Sequence, residues 1–463
     1  MPCQTRRATA ATSRTRLGRS LVAAAASLAL AGCTAGSPAG TAAPGSAPPA
    51  PVSVTDPAAP GPGAPEDIPP ERWAAARQQA VTALVRARLS AAHRGDERAW
   101  LAPLGGPNRT VLRTTQQAVL QRMSAIGVED LELDDVRETT APVPAPAGTS
   151  VEWDVRVDLS YRIRGFDTAP RSFDLDLTFK ADPAVPQRLT VTASAPSGRP
   201  QPWDLAGLRV RRSPTALVLA VGSASRVEEI ARRARTASSR VAAVWGSARP
   251  AVWIAPASDA DAGRLLGRAA GPDGLGGVAA ATDGPLTPGE RAGADRIILV
   301  PRAWTSLRSD GRDVVMTHEL THVTVRGSTT RAVPVWLSEG FAELVAYRPI
   351  DLPERAVVGP AVALVRAGGM PRALPGDDDF APGTQTLQAA YGLSLVALRS
   401  LADAHGTRAV VALYRAAAGG IAVPTGRLDD REAVVDTALQ ATMGTTRGRL
   451  VKDWQARLRS LLR

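Results

Sequence analysis

Asp310-Gly311-Arg312-Asp313-Val314-Val315-Met316-Thr317-His318-Glu319-Leu320-Thr321-His322 holds two of the four histidines in the chain. Residues four apart on an α-helix lie about 40° from each other around the axis, one turn apart. His318 and His322 therefore project from one face and can bind the same metal ion. Glu319 is turned about 100° from His318, near enough to a water on that metal to act as general base without being a ligand. This is the H-E-x-x-H arrangement of zinc sites. A histidine pair at this spacing can also decorate a surface or sit hydrogen-bonded in a core, but in a chain so poor in histidine the spacing points to Zn2+. The surroundings suit a helix: Asp313 is expected to cap its start, and Met316, Leu320 and Val323 form a separate apolar stripe that can anchor it.

A catalytic zinc takes three protein ligands and leaves a fourth position for water. The third is sought in Pro334-Val335-Trp336-Leu337-Ser338-Glu339-Gly340-Phe341-Ala342-Glu343. Pro334 suits the first turn of a helix, on which Glu339 and Glu343 share a face. The segment 326–332 is long enough to fold this helix back on the first. Together the two motifs resemble the gluzincin metallopeptidases, the group of thermolysin-like and aminopeptidase-N-like enzymes, whose Trp-Leu-Asn-Glu-Gly-Phe-Ala element is close to Trp336–Ala342. The resemblance covers only these two motifs. It implies peptide-bond hydrolysis of a protein or peptide substrate, with His318, His322 and Glu339 as metal ligands and Glu319 as the base. It also implies Glu343 as the carboxylate behind a zinc histidine, and a Tyr or His that stabilises the oxyanion. Tyr391, which opens a helix expected over 387–404, is chosen for that last role. Tyr347 lies too far along the ligand helix, and His405, before Gly406, reads as a helix-end residue. The Gly-x-Met-Glu-Asn exopeptidase element of the aminopeptidases is absent, so aminopeptidase activity is not expected.

Working upstream, strands are expected at 216–221, 251–255 and 296–300, with helices at 223–245 and 258–269 and a Gly/Pro/Ala loop over 271–288. The strand at 296–300 is assigned the edge position at which an extended substrate backbone is held by strand addition. Before 206 the period of the sequence is two: Val151, Trp153, Val155, Val157, Leu159, Tyr161 and Ile163 alternate with polar residues, which predicts a half-buried antiparallel strand. Phe173 to Phe179 repeats the pattern, and Leu189 to Ala193 does so more weakly. Helices are expected at 71–95, 97–104 and 109–126, with His93 at a helix end. The order of helices then antiparallel sheet resembles the nuclear transport factor 2-like cone fold, and no catalytic constellation is visible within it. The expected fold class is α+β: a helix-then-antiparallel-sheet domain (71–205), then a mostly helical, gluzincin-type peptidase domain with a small sheet (206–463). About 390 residues beyond the tether leave room for two cores. In the tail, helices are expected at 407–418, 431–442 and 446–462, the last burying Leu450, Trp454, Leu458 and Leu461. Asp377-Asp378-Asp379 reads as a solvated turn.

The start of the chain indicates its destination. Arg6, Arg7, Arg14, Arg16 and Arg19 precede a short apolar run, Leu21 to Ala31, which is too short to span a bilayer. Leu30-Ala31-Gly32-Cys33 resembles a bacterial lipobox, which implies a signal peptide (1–32) and acylation of Cys33. Residues 33–70 are mostly Ala, Pro, Gly, Ser and Thr, a tether without a core of its own. The expectation is a protein anchored by lipid to the outer face of the cell membrane. Cys3, the other cysteine, lies in the leader, so no disulfide is available to the mature fold. Net charge is +11, mostly from dispersed arginine. Basic runs interleaved with aromatics are absent, which argues against a nucleic-acid partner. The alternative reading is a non-catalytic surface lipoprotein whose zinc-binding domain serves as a binding or scaffold module.

Overall fold

The computed structural model describes residues 70–463 except 141, 143–148, 183–184, 186–187, 270–271, 276, 382–383 and 422–429. The leader, Cys33 and the tether up to residue 69 lie outside the described residues. The fold is α+β, an antiparallel four-stranded sheet followed by a mostly helical region with a small mixed sheet.

Helices α1 (Pro70–Arg94), α2 (Glu97–Leu101) and α3 (Arg109–Ile126) come first. Asp96 caps α2 by accepting from the amide of Ala99. Gly127 ends α3 in the left-handed region, at φ 79°, where a residue without a Cβ meets no steric penalty. The chain then enters an antiparallel meander of β1 (Val128–Glu138), β2 (Val151–Ile163), β3 (Arg171–Ala181) and β4 (Thr190–Ser197), in that spatial order. The alternating residues Val151 to Ile163 are all buried on one face. They meet Trp73, Phe179 and Trp203, with Trp153 stacked 5.9 Å from Phe179 and Tyr161 edge-on 4.8 Å from Trp203. β1 was not expected from the sequence. It is rich in acids, none of them buried, and two of these, Asp130 and Glu129, pair with Arg162 on β2 and Arg164 just beyond it.

The second sheet contains β5 (Leu208–Arg212), β6 (Ala216–Val221), β7 (Ala251–Ala255), β8 (Ala280–Asp283) and β9 (Arg296–Leu299). Between them run α4 (Ala224–Trp245), α5 (Asp259–Leu266) and the single turn α6 (Pro272–Leu275). The spatial order is β5-β6-β7-β9-β8, parallel through β6, β7 and β9 and antiparallel at both ends. The parallel strands are continuous apolar runs because both of their faces are covered. Leu217, Leu219, Val252, Ile254 and Ile298 join the core built on the four-stranded sheet. Val218, Ala220, Trp253, Ile297 and Leu299 join the helical core on the other side.

Two expectations are corrected here. β9 is not an edge strand: it lies between β7 and β8 with all four residues buried. The edge is β8, inside the stretch 271–288 that composition suggested to be loop. A four-residue run of Ala-Ala-Thr-Asp carries too little apolar pattern to announce itself, and its pairing with β9 is what makes it a strand.

The helical region follows: α7 (Pro301–Ser306), α8 (Ser309–Arg326), α9 (Val335–Tyr347), α10 (Glu354–Val357), α11 (Gly359–Gly368), α12 (Leu387–His405), α13 (Thr407–Gly419), α14 (Arg431–Met443) and α15 (Arg447–Leu462). In α15, Leu450, Trp454 and Leu458 are buried and the Trp454 indole donates to the Leu393 carbonyl at 3.0 Å. Asp377 to Phe380 form a short 3-10 turn in which Asp377 pairs with Arg431. Among the described residues no helix is long and apolar enough to cross a membrane.

Candidate metal centre

α8 begins at Ser309, four residues before the expected cap. Asp313 is therefore inside the helix, where Arg233 of α4 donates to its carboxylate at 2.5 Å. Every residue from Val314 to Val325 is buried, including the stripe Met316, Leu320 and Val323. A helix buried all round must satisfy its own polar groups. Thr317 and Thr321 do so by donating to the carbonyls one turn earlier, at 2.7 and 2.8 Å.

α9 folds back along α8 and α12 packs on α9. Gly340 makes this close approach possible: a Cβ there would lie 2.8 Å from the Ser394 carbonyl oxygen and from Leu398 Cδ2 on α12. Gly340→Ala is thus expected to push α9 off α12, destabilising the fold by about 1–3 kcal/mol. Because Glu339 is the neighbouring residue, zinc affinity should fall with it. Chemical denaturation and zinc competition titrations check the two effects.

The packing brings three side chains to one point. His318 Nε2 lies 3.1 Å from His322 Nε2 and 3.2 Å from Glu339 Oε2. His322 Nε2 lies 3.4 Å from the same oxygen. Bonds of about 2.0–2.1 Å to a tetrahedral zinc set neighbouring ligand atoms about 3.3–3.4 Å apart. The observed triangle has the size of one face of that tetrahedron. The donor set, two imidazoles and a carboxylate, is that of a catalytic zinc site, which keeps a fourth position for water. The other Glu339 oxygen, Oε1, is buried with no hydrogen-bond partner among the described residues. The residues therefore fit a zinc ion.

Around the triad, Glu343 Oε1 lies 3.0 Å from His318 Nδ1, an ion-pair distance outside hydrogen-bond geometry. Ser338 Oγ lies 3.4 Å from His322 Nδ1, and the buried Tyr414 hydroxyl bonds to Ser338. Both imidazoles thus have a polar neighbour on the nitrogen that faces away from the triad, the arrangement that fixes ring orientation at metal sites. Tyr391 is buried on α12 with its ring 6.1 Å from that of His318, and Phe380 stacks edge-on behind it at 5.5 Å. Tyr347 is at the end of α9, where burial and the charge of Glu343 raise its pKa. His93 and His405 are exposed at helix ends.

Glu319 is fully buried, and its Oε2 accepts a 2.7 Å hydrogen bond from the hydroxyl of Thr282 on β8. Its Oε1 has no partner among the described residues. Burial pushes its pKa up to about 7, against the opposing charge of His318 and the Thr282 hydrogen bond. Burial disfavours charge on His318, but Glu339 and Glu343 outweigh it and raise its pKa to about 10. His322, its pKa lowered by burial, is the neutral member of the pair. Glu339 is held at about 2, because the two histidines overcome its burial.

A proton therefore sits on His318 at neutral pH, and a metal must displace it. Zinc binding at pH 7 is expected to release about one proton, and affinity should rise about tenfold per pH unit between pH 6 and 8. Calorimetry in buffers of different ionisation enthalpy reads the proton count. Performed on Glu319→Gln, it excludes any contribution from the base.

His318, His322, Glu319, Glu339, Glu343 and Tyr391 are thus brought together. Thr282, Ser338 and Tyr414 were not singled out for the site from the sequence. Ser338 had a signal, its place immediately before Glu339, and Tyr414 had one as a tyrosine downstream of the third ligand, whereas Thr282 had none. No protein-family model, no curated protein and no solved structure matches the chain.

Proposed function

We propose that this protein is a zinc metallopeptidase of the gluzincin type, held by a lipidated Cys33 on the outer face of the cell membrane. The observation that carries the reading is the triangle of His318, His322 and Glu339, built to the size of a tetrahedral face beside a buried, hydrogen-bonded glutamate that is not part of it. Those three residues would hold the ion, and zinc, when bound, supplies Lewis acidity to a carbonyl and to a water.

The chain's own residues do the rest. Glu319 takes a proton from the attacking water on its free Oε1 and delivers it to the leaving amine. Thr282 fixes the other carboxylate oxygen. Glu343 and Ser338 keep the imidazoles turned toward the ligand point. Tyr391 donates its hydroxyl proton in a hydrogen bond to the oxyanion. The absence of a Gly-x-Met-Glu-Asn element supports cleavage within a chain rather than removal of its first residue. Incubating the zinc-loaded protein with a mixed peptide library and sequencing the products tests this. New termini at a consistent residue pair, absent after chelation, are the expected result.

One observation favours the second reading, a non-catalytic zinc-binding module. His318, Glu319 and Glu339 are 0 % exposed and His322 2 %, so the site is closed to bulk water in this conformation. Hydrolysis on the proposed route needs an opening to admit substrate. If the protein holds one zinc per chain and cuts nothing in the library, the second reading stands.

A further inference from the structure

Strand β8 has four residues and a neighbour on one side only. So short an edge strand is prone to fray, yet it carries the hydroxyl that holds Glu319. Its side chains alternate. Ala280 joins the helical core and Ala281 the core built on the four-stranded sheet, so Thr282 faces α8 and Asp283 faces the first domain.

Asp283 is where the first domain takes hold. Arg171, the first residue of β3, pairs with one of its carboxylate oxygens and also donates to the Ala294 carbonyl at 3.1 Å. Arg199, just beyond β4, donates to the other carboxylate oxygen at 3.1 Å. The cross-strand partner of Asp283 is Arg296 on β9. Its guanidinium is held bidentately, at 2.6 and 2.7 Å, by Asp167 in the turn between β2 and β3. Beside this, the amide of Thr168 donates to the Gly293 carbonyl at 2.8 Å. Both members of one cross-strand pair are therefore gripped by charge-assisted bonds from the first domain. The next residue along β8 is Thr282.

We propose that the first domain is a positioning element of the site: through Arg171, Arg199 and Asp167 it clamps the end of the β8–β9 ladder and so holds Thr282 against Glu319. Fixing Asp283 fixes the direction of Thr282, because a one-residue slip of a strand reverses every side chain. Thr282 is a positioning residue that acts through Glu319, and the clamp acts through Thr282. The inference rests on the reading of Glu319 as the base, and the test separates the two.

The full mature chain is compared with Thr282→Val, Thr282→Ser and Arg171→Met, each loaded with zinc. Thr282→Val keeps shape and removes the hydroxyl; kcat is expected to fall about tenfold or more with KM within about twofold and zinc content unchanged. Thr282→Ser restores the hydroxyl and should return most of kcat. In Arg171→Met, backbone amides of 280–283 should exchange with solvent at least about tenfold faster while those of α12 keep their protection. Arg199→Met, at a more exposed position, makes the same test if Arg171→Met does not fold. Wild-type kcat in Thr282→Val, or unchanged exchange at 280–283 in the arginine variants, overturns the proposal. If the wild type cuts no peptide, the peptidase reading fails and exchange alone decides the clamp: faster at 280–283 supports it, unchanged refutes it.

Discussion

Replacing Glu319 with Gln is expected to leave one zinc per chain in place and to lower peptide hydrolysis by about 10²–10⁴-fold, the usual worth of a general base. The side chain keeps its length, and its amide oxygen can still accept from Thr282. What is lost is the ability to carry a proton. Because Glu319 is not one of the three triad residues, metal content should not follow activity. The acid limb of the wild-type pH profile should report the same group. Burial raises its pKa and a zinc dication beside it would lower it again; a base works only when ionised, so kcat/KM should climb with pH on the acid side and level off above it. Metal analysis beside steady-state kinetics makes the comparison. Turnover retained in Glu319→Gln would remove the residue from the mechanism.

The largest effect on stability is expected at Asp167. Its carboxylate and the Arg296 guanidinium form an ion pair with side chains only 1 % and 2 % exposed. Attraction between buried charges offsets their lost hydration only while both are present. Asp167→Ala leaves the arginine charge in the interior without its partner, which costs about 3–5 kcal/mol. The double variant Asp167→Leu, Arg296→Met removes both charges and should regain most of that loss. By contrast, the exposed pair Arg449–Asp453, within one helix, contributes at most about 0.5 kcal/mol. Denaturant unfolding of the single and double variants reads the difference. An Asp167→Ala protein as stable as wild type would show that the pair does not join the two sheets as described.

The two histidines of the metal triad and Glu319 were legible because helical spacing is local. His318, Glu319 and His322 share one helix and keep their relation wherever it packs, whereas Glu339, on another helix, was pointed to by the resemblance of Trp336–Ala342 to a known zinc element. The α+β class was legible in the alternation of Val151 to Ile163 and in the apolar runs of β6, β7 and β9. What escaped depends on contacts between distant segments. β1 alternates only at Leu131 to Leu133, and register shifts against β2 on either side of that stretch break its period. β8 is a strand only because β9 lies beside it, and Thr282 reaches Glu319 only because β8 lies beside α8. β9 was misassigned to the edge, although its unbroken run Ile297-Ile298-Leu299 is the pattern of a strand covered on both faces. Asp313 looked like a cap because the polar residues before it hid the true first turn, and Arg233 that engages it comes from another helix.

The most direct test is X-ray absorption at the zinc edge of the loaded protein, repeated on Glu339→Ala. Two imidazole nitrogens and one carboxylate oxygen at about 2.0–2.2 Å, with one further oxygen that exchanges with solvent, are expected, and the carboxylate contribution should vanish in the variant. A zinc ion surrounded by four protein donors, or a spectrum unchanged in Glu339→Ala, would contradict a catalytic site at this triad.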